Sequence, residues 1–246
     1  MSFAIRKPAR LLVAAALAAC LPLTATAIPA HASSWGSPQS LNSLASWNVI
    51  SGRWTANNEL ETYSPNCVWY DGGTLMIKTY NAGGGVYYSG RVESKTLYKY
   101  GTYSFTASMP NGNGLLPAVW GAYLNPWLPE MDAAEIVGSR PNTVYQTFHD
   151  TSNNQTQWAL NNAGAWTNAF HTYSFTWWPD HIDFSVDGRF TGTKWYTIAP
   201  GVGIHFIIDT AVGGNWPGNP DSSTWATADG ARYLKVSSIT YTPYNP

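Results

Sequence analysis

Cysteine, charge and helical periodicity are what this 246-residue sequence has least of. Each shortage closes off a class of protein. Of its two cysteines, Cys20 falls in an N-terminal stretch with the pattern of a leader, which leaves Cys67 alone. No intrachain disulfide can then form, so stability has to come from a packed core, and Cys67 reads as a small buried apolar residue. Charged residues make up only 11% of the chain. The leader spans residues 1–32: Arg6, Lys7 and Arg10 are basic, Leu11 to Leu23 is largely apolar, and Ala30-His31-Ala32 is a small-x-small cleavage site before Ser33. Removing those three basic residues leaves ten against fourteen acids, so the net charge goes from −1 to −4. No basic stripe remains for nucleic acid.

The apolar run of the leader is too short to span a membrane, and secretion is the expected fate. Leu17-Ala18-Ala19-Cys20 also fits a bacterial lipoprotein box, so anchoring at Cys20 is the alternative. Against it, the apolar run continues past Cys20 and small-x-small sites follow. Residues 33–246 are a suitable length for a single all-β domain, expected to be a monomer.

Helical spacing with caps is missing from the mature part, whereas strand alternation recurs. Leu75 to Tyr80 and Tyr103 to Met109 largely alternate apolar and polar residues between turn formers. Ile182, Phe184 and Val186 alternate with Asp183 and Ser185, and Asp187-Gly188 then signals a two-residue hairpin. Gly203 to Val212 is apolar nearly throughout, as in a strand buried on both sides, and Tyr233 to Tyr241 reads as a last strand. Many short strands without a linker or repeat imply a two-sheet β-sandwich or jelly roll, whose concave sheet would make a polymer groove.

Aromatics are abundant: 13 Trp and 15 Tyr beside 22 Gly. Some must be core. Thirteen indoles exceed the ordinary need of one core, and flat rings stack on the C–H faces of sugars. Against this weakly charged background, Glu130-Met131-Asp132-Ala133-Ala134-Glu135 gathers three carboxylates. Strand alternation points Glu130 and Asp132 to one face, and Glu135 to the other unless a β-bulge adds a residue. With the bulge, the two Glu α-carbons stand four ladder positions apart, about 13 Å at ~3.3 Å per residue. Carboxyls leaning together across Asp132 suit glycoside hydrolysis, in which one attacks and the other protonates the leaving group. A solvated acidic turn or a calcium loop would show the same letters.

The order of motifs resembles glycoside hydrolase family 16, the secreted β-glucanases of laminarinase and lichenase type. The likeness runs from about Trp47 to Tyr241. It is carried by Asn57-Asn58-Glu59-Leu60 with Tyr63, Tyr88-Ser89-Gly90-Arg91, Leu116-Pro117-Ala118-Val119-Trp120, the Trp127 to Glu135 segment, Val144 to His149 and Ala211 to Gly218. The resemblance implies a concanavalin A-like jelly roll, with Glu130 as nucleophile, Glu135 as general acid/base, and Asp132 between them sharing a hydrogen bond. It implies substrate contacts from Asn58, Arg91, Trp120, Trp127, His149 and Trp216. Core packing for the tryptophans, and a structural role for His149, Arg91 and Asn58, remain open. The longer acid spacing resembles the laminarinase branch and implies retaining cleavage of internal β-1,3 bonds in glucan or mixed-linkage glucan.

Three departures from the family stand out. Ala133 and Ala134 make the acidic strand small-sided, and Asp209 stands where Asn is common. Val236-Ser237-Ser238-Ile239 lacks the Asp with which many members help bind calcium, so no cofactor is expected and calcium is in doubt. His171, His181 and His205 show no metal-ligand spacing. Competing functions are a transglycosylase, a galactan or agar hydrolase, a lyase of similar fold, and a non-catalytic glycan-binding sandwich. A lyase would not need paired Glu, and a binding module would not need either.

Overall fold

The computed structural model describes residues 33–53, 55–125, 127–199 and 201–246. The expected leader, with Cys20, lies outside them. Strand periodicity governs the described chain, whose only helical turns are four short 3-10 segments such as Ser222–Trp225. The strands form a seven-stranded and a twelve-stranded sheet, almost wholly antiparallel. This is the two-sheet sandwich that the alternation implied.

Between the sheets lies one aromatic-rich core. Tyr103, Phe105, Tyr173 and Phe175 come from the larger sheet, and Phe148 and Phe206 from the smaller, all with at most 1% exposure. Phe206 stands within 5.2 Å, ring to ring, of both Tyr103 and Phe105, and so ties the sheets together. Burying each such ring contributes about 1.5–3 kcal/mol. Cys67 is buried too, as a small apolar residue of this kind would be.

Several local expectations hold. The hairpin after Val186 turns on Asp187 (φ 51°) and Gly188 (φ 73°), with Val186 opposite Arg189, the conformation an Asp-Gly turn favours. The last strand, Ala231–Asn245, is longer than its apolar alternation suggested: Ala231 and Arg232 pair with Tyr80 and Thr79, Thr242 and Pro243 with Thr102 and Gly101, and Tyr244 and Asn245 with Trp35 and Ser34.

What positions the site is the smaller sheet. Its centre is Trp127–Glu135, Leu115–Leu124 and His205–Val212 in adjacent order. On His205–Val212, Phe206, Ile208 and Val212 face the core, while Ile207, Asp209 and Ala211 face outward. The outward residues are also buried, Ile207 against Ala118, Trp120 and Ala122 of the neighbouring strand. That is why the run is apolar on both faces.

Candidate active site

The acidic strand carries the bulge that its spacing called for. Opposite it, Val119 faces Ala134 and Trp120 faces Asp132, which leaves Ala133 as the extra residue. On the other side, Asp132 pairs with Thr147 and Glu135 with Tyr145 across the same irregularity. Glu130, Asp132 and Glu135 therefore line one cavity of about 420 Å³ on the sheet's outer face. Met131, Ala133 and Ala134 go into the core at 0% exposure. A bulge turns two successive side chains inward, and two alanines fit where larger residues would crowd the core. The buried Gln146 donates to the Ala133 carbonyl at 2.7 Å, satisfying backbone that the bulge takes out of the ladder, and to the Ser185 carbonyl of the larger sheet at 3.1 Å.

The acids do not share one environment. Trp127 Nε1 donates to Glu130 Oε2 at 2.8 Å, and His149 Nε2 stands 3.6 Å from Glu130 Oε1 and 3.7 Å from Asp132 Oδ2. Glu135 has a longer bond, from Thr147 Oγ1 at 3.4 Å, and Gln157 in turn donates to Thr147 at 3.1 Å. Burial is the main force on all three carboxyls and disfavours the charged form. It pushes Glu130 up to about 7, against the Trp127 bond and the Arg91 charge, which pull down. It pushes Glu135 up to about 8, helped by the Glu130 charge. Asp132 is raised well above the usual carboxyl range, by burial first and then by Glu135 and Glu130 on either side. Burial holds His149 low, so its imidazole is neutral at the pH where the acids titrate. Ligand atoms of Glu130, Asp132 and His149 lie within 4.8 Å of one another, a donor set that a divalent cation could use.

Beside them sits a second cluster, built around Asp209. Asp209 accepts from Arg91 Nη1 at 3.1 Å, Tyr63 Oη at 3.0 Å and Trp120 Nε1 at 3.1 Å. Arg91 also pairs with Glu93 at 2.8 Å and lies 4.9 Å from the Trp120 ring centroid. Glu59 lines the cavity and is pushed up to about 8 by burial and by the charges of Glu61 and Asp209. Gly213, at φ 74°, pairs with Glu59, and a Cβ there would come 2.6 Å from Leu60 Cγ. Only glycine lets these loops approach so closely.

The residues expected to bind substrate separate. Arg91, Trp120, Trp127 and His149 line the cavity around the acids. Trp216 lines an adjoining cavity of about 360 Å³, which Glu130, Glu135 and His149 share, and it packs 4.9 Å from Tyr145. Arg91 and Trp120 are at once structural and groove-lining, since they hold Asp209 from the strands on either side of it. Asn58 is not among the lining residues. Its amide donates to Asn215 Oδ1 at 2.6 Å and holds a loop, while its neighbour Asn57 lines both cavities.

A family model described as Glycosyl hydrolases family 16 matches residues 53–238. The chain is 29% identical over 242 residues to glucan endo-1,3-beta-glucosidase A1 of Niallia circulans, covering 77% of this chain and 35% of that one. It is 29% identical over 203 residues to a beta-glucanase of Rhodothermus marinus, covering 69% and 70% of the respective chains. The chain thus spans about a third of the first relative and over two thirds of the second. In fold it is similar to the laminarinase catalytic domain of Thermotoga maritima MSB8, with a TM-score of 0.74 at 24% identity, covering 86% of this chain and 98% of that one.

Proposed function

The chain belongs to family 16 of the glycosyl hydrolases, and on that footing we propose that it cleaves internal β-1,3-glucosidic bonds of glucan, mixed β-1,3-1,4-glucan included, with retention. The single observation that carries the proposal is the bulge at Ala133, which puts Glu130, Asp132 and Glu135 on one groove face. The relatives named as endo-1,3-beta-glucosidase and beta-glucanase support the choice of substrate.

In this reading the Glu130 carboxylate attacks the anomeric carbon while Glu135 gives its proton to the departing glycosidic oxygen. The C–O bond breaks and a glycosyl ester on Glu130 is left. Glu135, now ionised, takes a proton from water, and the resulting hydroxyl displaces the ester with a second inversion. Asp132, held protonated by burial first and then by the charges of Glu135 and Glu130, stands beside Glu130 with a carboxyl oxygen within 4.8 Å of it and steadies it as charge leaves. The required state has Glu130 ionised and Glu135 protonated. It prevails between about 7 and about 8, the values to which the two are pushed. Trp120, Trp127 and Trp216 offer rings to successive sugars. Residues 1–32 serve as a secretory leader, on the strength of their basic, apolar and small-x-small order, and the enzyme works outside the cell as a monomer.

Purified protein assayed on laminarin, lichenan, curdlan, agarose and galactan tests the reading. Laminarin turnover should dominate, and Glu130→Gln and Glu135→Gln should each abolish most of it with the fold intact. Proton NMR should detect a β-configured reducing end first. An α-anomer first, full activity in either variant, or preference for agarose or galactan refutes the assignment.

A further inference from the structure

The catalytic groove lies on the outer face of the smaller sheet, and the outer face of the larger sheet is not featureless. On His181–Val186, the buried Ile182, Phe184 and Val186 look into the sandwich, so His181 and Asp183 look away from it. Trp195 is paired directly across from His181 and shares that outward face. Trp35 and Tyr244 are likewise paired, at the edge where the N-terminal strand joins the last one.

These residues and Trp178 form one run of touching rings. Trp195 lies 4.7 Å from His181, His181 stacks on Trp178 at 5.7 Å and 16°, and Trp178 meets Trp35 at 5.2 Å and Tyr244 at 5.0 Å. Single exposed aromatics are ordinary on protein surfaces. Here, however, the two ends of a continuous array are open to water, Trp195 at 70% exposure and Trp35 at 46%.

The array is also held in place from its edges. Trp178 Nε1 donates to Asp183 Oδ2 at 3.1 Å, Thr193 hydrogen-bonds the same carboxylate, and His181 Nδ1 bonds Asp180 at 2.6 Å. Such anchoring removes rotamer freedom before any ligand arrives, which favours binding. The two carboxylates beside the rings engage His181 and indole and hydroxyl donors, which leaves the ring faces themselves as the surface offered to a ligand. Indole, phenol and imidazole faces suit a ligand with flat C–H faces and hydroxyl edges.

We propose that the Trp35–Trp178–His181–Trp195–Tyr244 array is a second glycan-binding site, which takes a neutral polysaccharide strand on the face opposite the catalytic groove. Its identification with β-glucan rests on the proposed function. Because the two sites lie on opposite outer faces, occupation of one leaves the other open, and the enzyme can stay on an insoluble polymer while the groove works.

The test uses insoluble curdlan as the probe. Binding is measured by depletion in a Glu130→Gln background, where turnover does not erode the solid. Trp35→Ala with Trp195→Ala should weaken binding about tenfold, the loss of roughly 1.4 kcal/mol expected for removed ring contacts. Trp195→Ala alone, at the most exposed ring, guards against a folding artefact and should account for part of the loss. Phe190→Ala, also exposed but outside the array, should change nothing. With Glu130 intact, the double variant should keep its kcat/KM on soluble laminari-oligosaccharides.

Unchanged curdlan binding in the double variant overturns the site, as does an equal loss on soluble oligosaccharides. Sedimentation that finds a wild-type dimer and a monomeric variant overturns it too, since the rings would then be a subunit interface. Ring-dependent curdlan binding by a protein that hydrolyses no glucan would refute the proposed activity and leave this site standing.

Discussion

Deleting Ala133 asks whether the bulge serves only to keep Glu135 on the groove face. Without it, Asp132 would still face Trp120 and Thr147, Ala134 would still face Val119, and Glu135 would still face Ala118 and Tyr145. The strand would become regular, with all three acids on one side. The cost can be read from what Ala133 touches. Its buried methyl is worth about 0.8 kcal/mol, and the Gln146 amide that bonds its carbonyl would lose that partner, about 1–3 kcal/mol. Together these destabilise the protein by roughly 2–4 kcal/mol, large but survivable for a domain of ordinary stability. The carboxyls would shift by about the scale of an ångström, so kcat should fall by about 100-fold and not vanish.

Deleting both Ala133 and Ala134 makes the opposite prediction. Glu135 would then follow Asp132 directly and point between the sheets, where an unpaired carboxyl costs several kcal/mol. That variant should be inactive, and it should unfold or lose much of its thermal stability. Circular dichroism melts with laminarin turnover by reducing-end assay separate the cases. A single-deletion variant that is folded yet as inactive as Glu135→Gln refutes the register argument, and so does an active double-deletion variant.

Two further outcomes follow from the charges. Trp127→Phe keeps a ring in the groove but removes a 2.8 Å bond to Glu130, worth about 1.5 kcal/mol in its half-exposed position. The acidic limb of kcat/KM should move up by about one pH unit, and a profile that does not move would mean that Glu130 is not the group ionising there. Stability should also fall as pH rises. Burial raises Glu59, Glu61, Glu130 and Glu135 from 4.5 to about 7 or 8 in the folded chain, and raises Asp132 and Asp209 as well. The folded state therefore binds more protons than the unfolded one between about 4.5 and 8, a contribution complete below that window and lost as pH climbs through 7 to 8. The Tm at pH 5.5 should exceed that at pH 8.5, and calorimetry giving the reverse order would overturn this electrostatic account.

The features legible from sequence were the local ones. Alternation announced the strands, Asp187-Gly188 announced its hairpin, and the odd spacing of Glu135 announced a bulge, because each depends on residues a few positions apart. Ala133 and Ala134 looked like a departure and proved to be the bulge's own requirement, two adjacent inward positions in a packed core. Asn57 and Asn58 could not be told apart. Both sit at positive φ, and which amide reaches the groove is decided by Asn215, 157 residues away from Asn58. Gln146 was invisible for a similar reason, since its role exists only once the carbonyls of Ala133 and Ser185 are brought to it from other strands.

The division of labour between the two glutamates also lies outside the motif that contains them. In isolation, Glu130 and Glu135 are the same acid on the same face of the same strand, and burial raises both. What separates them is their neighbours. Glu130 has an indole donor from Trp127 and feels the Arg91 cation, both of which favour its charged form. Glu135 has a longer bond from Thr147, and the charge of Glu130 acts against its own. Arg91 can do this only in part, because it is also ion-paired with Asp209 and Glu93. Burial thus keeps the groove acids close to protonation, and the charge of Asp209 adds a smaller push in the same direction. That is the condition a buried acid/base needs near neutral pH, and it leaves the donor from Trp127 to set which carboxyl ionises first.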